Sequence, residues 1–250
     1  MYLPPYYKSE IFPNRKDVYM CFSSEASFAG GVIISAIGVA TVTKVHKSSQ
    51  LVFASIPLFF GIQQFTEGVL WITLPNSDYV SIQKFSTYLF LIMAEVLWPM
   101  MIPLSVLFME NNLKKKRILR TFLILGACLS TYYATCLVLF NVNPEIMGYH
   151  IQYHTGFPKS LALVTFAIYL TVTITPLFVS SIKKAHLLGV LMFVSCAVSA
   201  IFFTQYLTSV WCFFAALISG VIFWILRDSK RKFNFDKLVE LKNKLMRSDS

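Results

Sequence analysis

The segment from Leu51 to Pro75 contains residues that could bind a ligand or carry a proton. The segment has the length and apolarity of a membrane-crossing helix, yet its second half is polar. Spacings of three, four and eight residues put the polar side chains on one side of a helix, and they are Gln63, Gln64, Glu67 and Trp71. A carboxylate in hydrocarbon costs at least about 2.5–3.5 kcal/mol. We therefore expect Glu67 to face other protein or a wet cavity and to mark the functional centre.

A second carboxylate, Glu95, lies within the next apolar segment. A short polar turn joins the two segments, so they should be antiparallel neighbours, and Glu67 and Glu95 should point into one outward-facing cavity. Such a pair could share or carry a proton; alternatively, both carboxylates are hydrogen-bonded and only fix helix register. The predicted ligand- or proton-binding residues are Gln63, Gln64, Glu67, Trp71, Glu95 and Trp98, with Glu25, Tyr133 and Gln205 as supporting residues.

Two histidines in the longest internal loop suggest different chemistry. His150 and His154 are four residues apart, which places both imidazoles on one face if this part of the loop is helical, as in helical zinc sites. Glu67, Glu95 or Glu25 could complete such a site and leave a position for water. A zinc-dependent hydrolase of a lipid or amphiphile is therefore the alternative function. The other interpretation is that both histidines are surface groups in a wet loop.

The elements that position these residues must be membrane helices. The chain is 56% hydrophobic and 14% charged, whereas soluble domains average about 25% charged residues. The net charge of +10 could indicate a nucleic-acid partner. However, the basic residues cluster just beyond the apolar segments, so we exclude that partner and expect a lipid bilayer instead. The five cysteines are isolated and form neither a disulfide framework nor a CxxC motif.

The pattern predicts an all-α, seven-helix membrane bundle. Its spans are about 26–43, 51–75, 82–109, 118–140, 160–182, 187–206 and 209–226. On this layout 17 of the 22 lysines and arginines lie on one side, which the positive-inside rule assigns to the cytoplasm. The N-terminus is then outside, the C-terminus is cytoplasmic, and the protein resides in the cell membrane. Gly31 and Ser35 have the spacing that lets another helix approach closely.

Two shorter segments flank this domain of residues 26–226. Residues 1–25 form an extracytoplasmic segment, and Ser23 or Ser24 should cap the first helix. Residues 227–250 form a basic tail in which apolar residues recur every three or four positions. We expect an amphipathic helix that lies on the cytoplasmic leaflet. Alternatively, the tail binds a partner, and the protein is a signalling or assembly subunit.

Three stretches resemble one known family: MCFSSEASF, PLFFGIQQFTEGVLW and EVLWPMMIPLS. They are similar to a family of bacterial multi-pass membrane proteins that has no assigned activity and whose members open with an MCFSA-like motif. The resemblance covers chiefly residues 20–110 and implies a bacterial inner-membrane protein. It implies that the family features here are Cys21, Glu25, Gln63, Gln64, Glu67, Trp71, Glu95, Trp98 and Pro99.

A looser resemblance is to alkaline-ceramidase-like hydrolases, which have seven helices and a similar size. Their paired histidines belong to the last helix, whereas the pair here precedes the fifth span, so no catalytic residue is carried over. The leading interpretation is a membrane protein that binds a small molecule or ion between its intramembrane carboxylates, with proton-coupled transport as its activity.

Overall fold

The computed structural model describes residues 23–148, 150–203 and 206–227. Helices dominate these residues: α1 Ser24–Val42, α2 Leu51–Thr73, α3 Val80–Leu91, α4 Trp98–Met109, α5 Leu113–Leu139, α6 Ala162–Val179, α7 Lys183–Phe202 and α8 Leu207–Ser219. Helical residues 221–227 continue α8 beyond Gly220. Several sequence predictions fall outside the described residues, namely those on Cys21, on Gln205, on the N-terminal segment before residue 23 and on the amphipathic tail.

Within the described residues, six helices are long and apolar enough to cross a membrane. They are Ser24–Val42, Ser77–Met109, Leu113–Leu139, Lys159–Val179, Lys183–Phe202 and Leu207–Arg227. Large apolar side chains such as Val138, Leu163 and Ile201 are exposed on their surfaces, as expected where lipid replaces water. The chain is therefore a multi-pass membrane protein with a lipid-facing apolar surface.

The helix α2 is not among these six, although it has 23 residues. Its second half contains Gln63, Gln64 and Glu67, which reduce its mean hydropathy. All three side chains are nevertheless buried, with exposed fractions of 0%, 0% and 3%. The helix therefore turns its polar groups toward protein.

Small residues allow α1 and α2 to pack closely. A Cβ added to Gly31 would lie 3.1 Å from the ring of Phe65, and one added to Gly61 would overlap the hydroxyl of Ser35. Residue numbers rise along α1 as they fall along α2, so the two helices are antiparallel. The prediction that Gly31 and Ser35 admit a close neighbour is confirmed. The N-cap prediction is confirmed too, because the Ser23 hydroxyl accepts a hydrogen bond from the backbone of residue 26.

The span from Ser77 to Met109 is not a regular α-helix. A π-helix, Ile92–Leu97, separates α3 from α4 and contains Glu95. Pro99 has no N–H to donate to the carbonyl four residues earlier, and its ring would collide with that carbonyl in a regular α-helix. The wider π turn relieves this conflict. Such π segments occur frequently at functional sites.

Two neighbouring helices bind carbonyl groups in this π-helix. The hydroxyl of Tyr169 on α6 donates to the Ala94 carbonyl at 2.6 Å. The hydroxyl of Ser130 on α5 donates to the Val96 carbonyl, also at 2.6 Å. Side chains of neighbouring helices therefore donate hydrogen bonds to carbonyl groups of the irregular backbone, because apolar surroundings offer no water to do so.

Between α5 and α6 the chain forms a β-hairpin, so the prediction of a loop in an all-α protein is wrong at this point. Strands β1 Val142–Met147 and β2 His150–Thr155 pair antiparallel. Gly148, with φ of 62°, lies in the turn that joins them. Tyr153 stacks on Phe90 of α3 with ring centroids 5.0 Å apart. Val142 and Asn143 of β1 line a cleft with Val80 of α3, and the ring of His150 lies 4.7 Å from that of Tyr206, just before α8. The hairpin therefore covers the end of the bundle where α3 and α8 begin.

At the opposite end, Glu110 links two turns. Its carboxylate accepts hydrogen bonds from the backbone of Asn111, Asn112 and Ser181 and from the Ser181 hydroxyl, at 2.7–2.9 Å. Burial alone would raise the pKa of Glu110, but these donors outweigh it, and the net pKa is lowered. The α4–α5 turn is thus fastened to the α6–α7 turn.

Candidate functional site

Glu95 lines a cavity of about 70 Å³ between four elements. The π-helix supplies Glu95 itself, and α5, α6 and α8 supply most of the remaining wall. The lining residues are Ala94, Glu95, Tyr133, Phe166, Tyr169, Leu207, Thr208, Trp211 and Cys212. A cavity needs only about 10–15 Å³ to hold one water molecule, so this one has room for a small ligand.

Two buried polar atoms of this wall are unpaired. Among the described residues, neither the Oε2 atom of Glu95 nor the Nε1 atom of Trp211 has a hydrogen-bond partner. Glu95 as a residue is partly exposed, but this oxygen is buried. Trp211 is only 7% exposed. Both residues line the Glu95 cavity, and Trp211 also lines a smaller cavity next to Trp98. Buried polar groups are nearly always paired, so the unpaired Glu95 oxygen in the wall of this cavity indicates a site for a ligand or water.

Glu67 has a partner of its own. The hydroxyl of Ser209 on α8 donates to the Oε1 atom of Glu67. Glu67 is not one of the residues that line the Glu95 cavity. Both carboxylates instead approach the first half of α8, Glu67 through Ser209 and Glu95 through the wall that contains Thr208 and Cys212.

Gln63 is the centre of a hydrogen-bonded cluster that joins three helices. Its Oε1 atom accepts from the indole N–H of Trp98 at 3.1 Å, and its Nε2 atom donates to the sulfur of Cys212 at 3.1 Å. The Trp98 ring stacks on Phe60, with centroids 4.0 Å apart. We call this set of residues the Gln63 cluster. It fixes α2 against α4 and α8.

The contacts between α2 and α8 also define their relative direction. Gln63 contacts Cys212, and Glu67, which lies one turn further along α2, contacts Ser209. Ser209 lies about one turn before Cys212 on α8. The two helices are therefore antiparallel. Ser209 and Cys212 lie three residues apart, so they share one face of α8.

Two of the predicted site residues lie elsewhere. Gln64 faces α1, since its Oε1 atom would be 4.0 Å from a Cβ on Gly30. Its amide lies beside Glu67, but neither polar atom has a hydrogen-bond partner of normal geometry within the described residues. Glu25 is exposed in the first turn of α1 and accepts a hydrogen bond from the hydroxyl of Ser24.

Of the remaining predicted residues within the described part of the chain, two belong to these groups and Trp71 belongs to neither. Tyr133 lines the Glu95 cavity, and Trp98 belongs to the Gln63 cluster. Trp71 is partly exposed near the end of α2 and lines neither this cavity nor a smaller one of about 20 Å³ next to Trp98.

The expectation that His150 and His154 share a helical face is wrong, because both lie on β2. Four residues of strand span about 13 Å at about 3.3 Å per residue, too far for one metal ion. His154 pairs with Glu145 at 3.3 Å, and burial lowers the pKa of His150. No group of three or more His, Cys, Asp or Glu that could hold a metal occurs in the part of the chain that the structure describes. A zinc-dependent hydrolase gains no support from this hairpin.

Several site residues were missed by the sequence predictions. Ser209, Trp211 and Cys212 lie on α8, and Tyr169 lies on α6. The available sequence signal was that Ser209 and Cys212 are polar positions three residues apart in a largely apolar helix. That pattern identifies a polar face but does not identify its partner helix.

The comparisons with known proteins place the chain in a family. Residues 20–236 match the model of a family of unknown function, DUF6629. Because the match covers most of the chain, the protein belongs to this family. The match begins at Met20, the first residue of MCFSSEASF. Comparison with curated proteins and with solved structures gives no match, so the looser resemblance to alkaline-ceramidase-like hydrolases gains no support.

Proposed function

We propose that this member of DUF6629 binds a small molecule or ion at Glu95, in a cavity that opens toward the outside of the cell, and couples this binding to movement of a proton. In this proposal seven helices cross the cell membrane, with the N-terminus outside and the C-terminus in the cytoplasm. Glu95 binds the ligand, and Glu67 with Ser209 forms a neighbouring proton-accepting pair.

Helix α2 supplies the seventh span of this proposal. Its 23 residues extend about 35 Å at about 1.5 Å per residue, enough for a bilayer core of about 30 Å. Its antiparallel packing on α1 and α8 supports the same arrangement. Among the described residues, ten lysines and arginines lie at the helix ends near Glu110, and two lie at the hairpin end. That asymmetry favours a cytoplasmic position for the Glu110 end.

The observation that carries the ligand site is the unpaired Glu95 oxygen beside a cavity. An ionisable group at membrane depth is functional by default, because its burial is costly. Most of Glu95's neighbours in the cavity wall are apolar or aromatic, and no lysine or arginine of the described residues lines it. The carboxylate therefore needs either a proton or a cationic group from a ligand, which is the basis for the proposed coupling.

Carbodiimide labelling tests this proposal. Dicyclohexylcarbodiimide modifies protonated carboxyl groups in apolar surroundings, and mass spectrometry of the purified full-length protein would locate the label. We expect labelling at Glu95 that Na⁺, Mg²⁺, ammonium or small amines reduce. Glu25→Gln, which changes an exposed carboxylate, is the control and should leave Glu95 labelling unchanged. Absence of labelling at Glu95, or labelling that none of these cations reduces, would contradict the proposal.

Topology is tested separately by alkaline phosphatase fusions. Fusions after Asn76 and within the β-hairpin should be active, and a fusion after Asn111 should be inactive. Activity after Asn111 would reverse the proposed orientation. Equal activity after Asn76 and Asn111 would contradict a single membrane crossing between these positions.

A further inference from the structure

Half of the residues that line the cavity with Glu95 are aromatic. Phe166, Tyr169 and Trp211 line the cavity together with Tyr133. The rings of Tyr169 and Trp211 meet edge to face, with centroids 5.5 Å apart and an interplanar angle of 67°. Aromatic faces attract ammonium groups, most strongly when water is excluded. Together with the carboxylate, such a wall suits an organic cation.

An inorganic cation fits this wall less well. Metal ions such as Mg²⁺ and Ca²⁺ require about six or more oxygen ligands. Besides Glu95, only Tyr133, Tyr169 and Thr208 contribute side-chain oxygens to the described wall. The Tyr169 hydroxyl already donates to the Ala94 carbonyl. Too few oxygens remain to replace the hydration shell of a metal ion.

The two unpaired atoms add a second requirement. The Oε2 atom of Glu95 needs a donor, whereas the indole N–H of Trp211 needs an acceptor. Both residues line the same cavity, so one small ligand that carries a hydrogen-bond donor and an acceptor could pair with both atoms, and an amino alcohol carries such a pair. A two-carbon amino alcohol has four non-hydrogen atoms, which is a suitable size for a cavity of about 70 Å³.

We infer that the Glu95 cavity binds a small amino alcohol as its cation, with the ammonium group on the Glu95 carboxylate between the aromatic rings and the hydroxyl oxygen on the Trp211 N–H. This inference rests on the proposed function and names the ligand class for the same site. Glu95 selects the charge of the ligand, and Trp211 selects its oxygen atom.

Four probes of similar size test the inference by calorimetric titration of the full-length protein in detergent. Ethanolamine carries both features, propylamine lacks the oxygen, ethylene glycol lacks the charge, and glycolate has the wrong charge. We expect ethanolamine to bind roughly 5- to 10-fold more tightly than propylamine, as one hydrogen bond would give. Ethylene glycol and glycolate should not bind measurably.

Two variants separate the two contacts. Glu95→Gln should abolish binding of both amines. Trp211→Phe should remove only the preference for ethanolamine, so that both amines bind equally. Trp224→Phe, which changes an indole that is 44% exposed outside the cavity, is the matched control and should retain the preference. Size-exclusion chromatography and circular dichroism would verify that each variant is folded.

The possible failures are distinguishable. If Na⁺ or Mg²⁺ protects Glu95 from carbodiimide but neither amine binds, the amino-alcohol inference is wrong and the proposed function stands. If the amines bind equally to the unaltered protein, the role of Trp211 is wrong. If glycolate binds as well as ethanolamine, the charge selection is wrong. If no cation protects Glu95 and no amine binds, both proposals fail.

Discussion

The indole N–H of Trp98 donates to the side-chain oxygen of Gln63 at 3.1 Å, across the interface between α4 and α2. Gln63 is completely buried and Trp98 is 3% exposed. This hydrogen bond orients the glutamine so that its NH₂ group faces Cys212 on α8. One amide thereby links three helices, α2, α4 and α8, of which α8 also lines the Glu95 cavity.

Replacement of Trp98 by phenylalanine tests this link. Trp98→Phe retains an aromatic ring that can stack on Phe60 but leaves the Gln63 oxygen without its donor. We expect a loss of roughly 0.5–2 kcal/mol in the free energy of unfolding, the range for hydrogen bonds between membrane helices. Reversible unfolding in mixed detergent micelles measures it. Equal stability of Trp98→Phe and the unaltered protein would contradict a stabilising role for the bond.

Removal of the Ser209 hydroxyl should destabilise the protein, because this hydroxyl donates to the buried Glu67 carboxylate. We expect Ser209→Ala to cost about 1–3 kcal/mol. In the double variant with Glu67→Gln the loss should be smaller than the sum of the two single losses, since a neutral amide is less costly to bury. A double-mutant cycle measures this coupling.

The matched control is Ser195→Ala on α7, whose hydroxyl donates only to its own helix, at the Met192 carbonyl. It should cost less than Ser209→Ala. Strictly additive effects of Ser209→Ala and Glu67→Gln would show that the two side chains do not interact.

A methyl group at Gly126 should disrupt the contact between α4 and α5. A Cβ there would overlap the carbonyl oxygen of Pro99. Because this oxygen belongs to the backbone, it cannot move away by a change of side-chain rotamer. We expect Gly126→Ala to cost about 1–3 kcal/mol, as overpacking generally does. Gly156→Ala is the control, because a Cβ there would meet its nearest atoms at 3.5 Å or more. Thermal unfolding of both variants decides the prediction, and equal midpoints would contradict it.

Stability at the Glu110 end should depend on pH. Hydrogen-bond donors hold the folded-state pKa of Glu110 below its ordinary value of 4.5. The stabilisation is therefore fully present above pH 4.5 and is lost as the pH falls through the lower, folded-state pKa. Glu110→Gln should flatten this part of the stability profile and reduce stability at neutral pH. Unfolding measured across the acidic range checks the slope, and an unchanged slope in the variant would exclude Glu110 as its origin.

Substitutions of Tyr153 distinguish the effect of ring stacking from that of hydrogen bonding on the stability of the hairpin. Its hydroxyl is buried and has no hydrogen-bond partner among the described residues, whereas its ring stacks on Phe90. Tyr153→Phe should therefore leave hairpin protection unchanged or slightly increased. Tyr153→Ala should expose the hairpin, because it removes the stacked ring. Hydrogen exchange of the β1 and β2 amides measures both effects, and reduced protection in Tyr153→Phe would reveal a partner for the hydroxyl.

Most of the helical architecture could be predicted from apolar runs and their flanking charges. The observed helices begin and end within a few residues of the predicted spans, since hydrocarbon imposes a strict length and apolarity on each crossing. The hairpin between α5 and α6 is outside that constraint. Its pairing of Ile146 with Ile151 depends on the turn around Gly148. The spacing of His150 and His154 was interpreted with the period of a helix, whereas both residues lie on a strand.

The site was only partly predictable for a related reason. Burial of Gln63, Glu67 and Glu95 follows from their depth in apolar segments, but their partners do not. Ser209 and Cys212 are polar positions that many apolar helices contain, and periodicity within one helix carries no information about which helix it meets. The separation of Glu67 from the Glu95 cavity likewise depends on how α2 and the π-helix pack against α8.

The bond between Ser209 and Glu67 spans 142 residues of sequence, and the one between Gln63 and Cys212 spans 149. At about 5–20 residues per second, a ribosome needs roughly 7–30 s after finishing α2 before it delivers these partners. During that interval the nascent protein holds a carboxylate and an amide that α8 cannot yet satisfy. A chain that stops before α8 therefore lacks the partners that these two buried groups have in the complete fold.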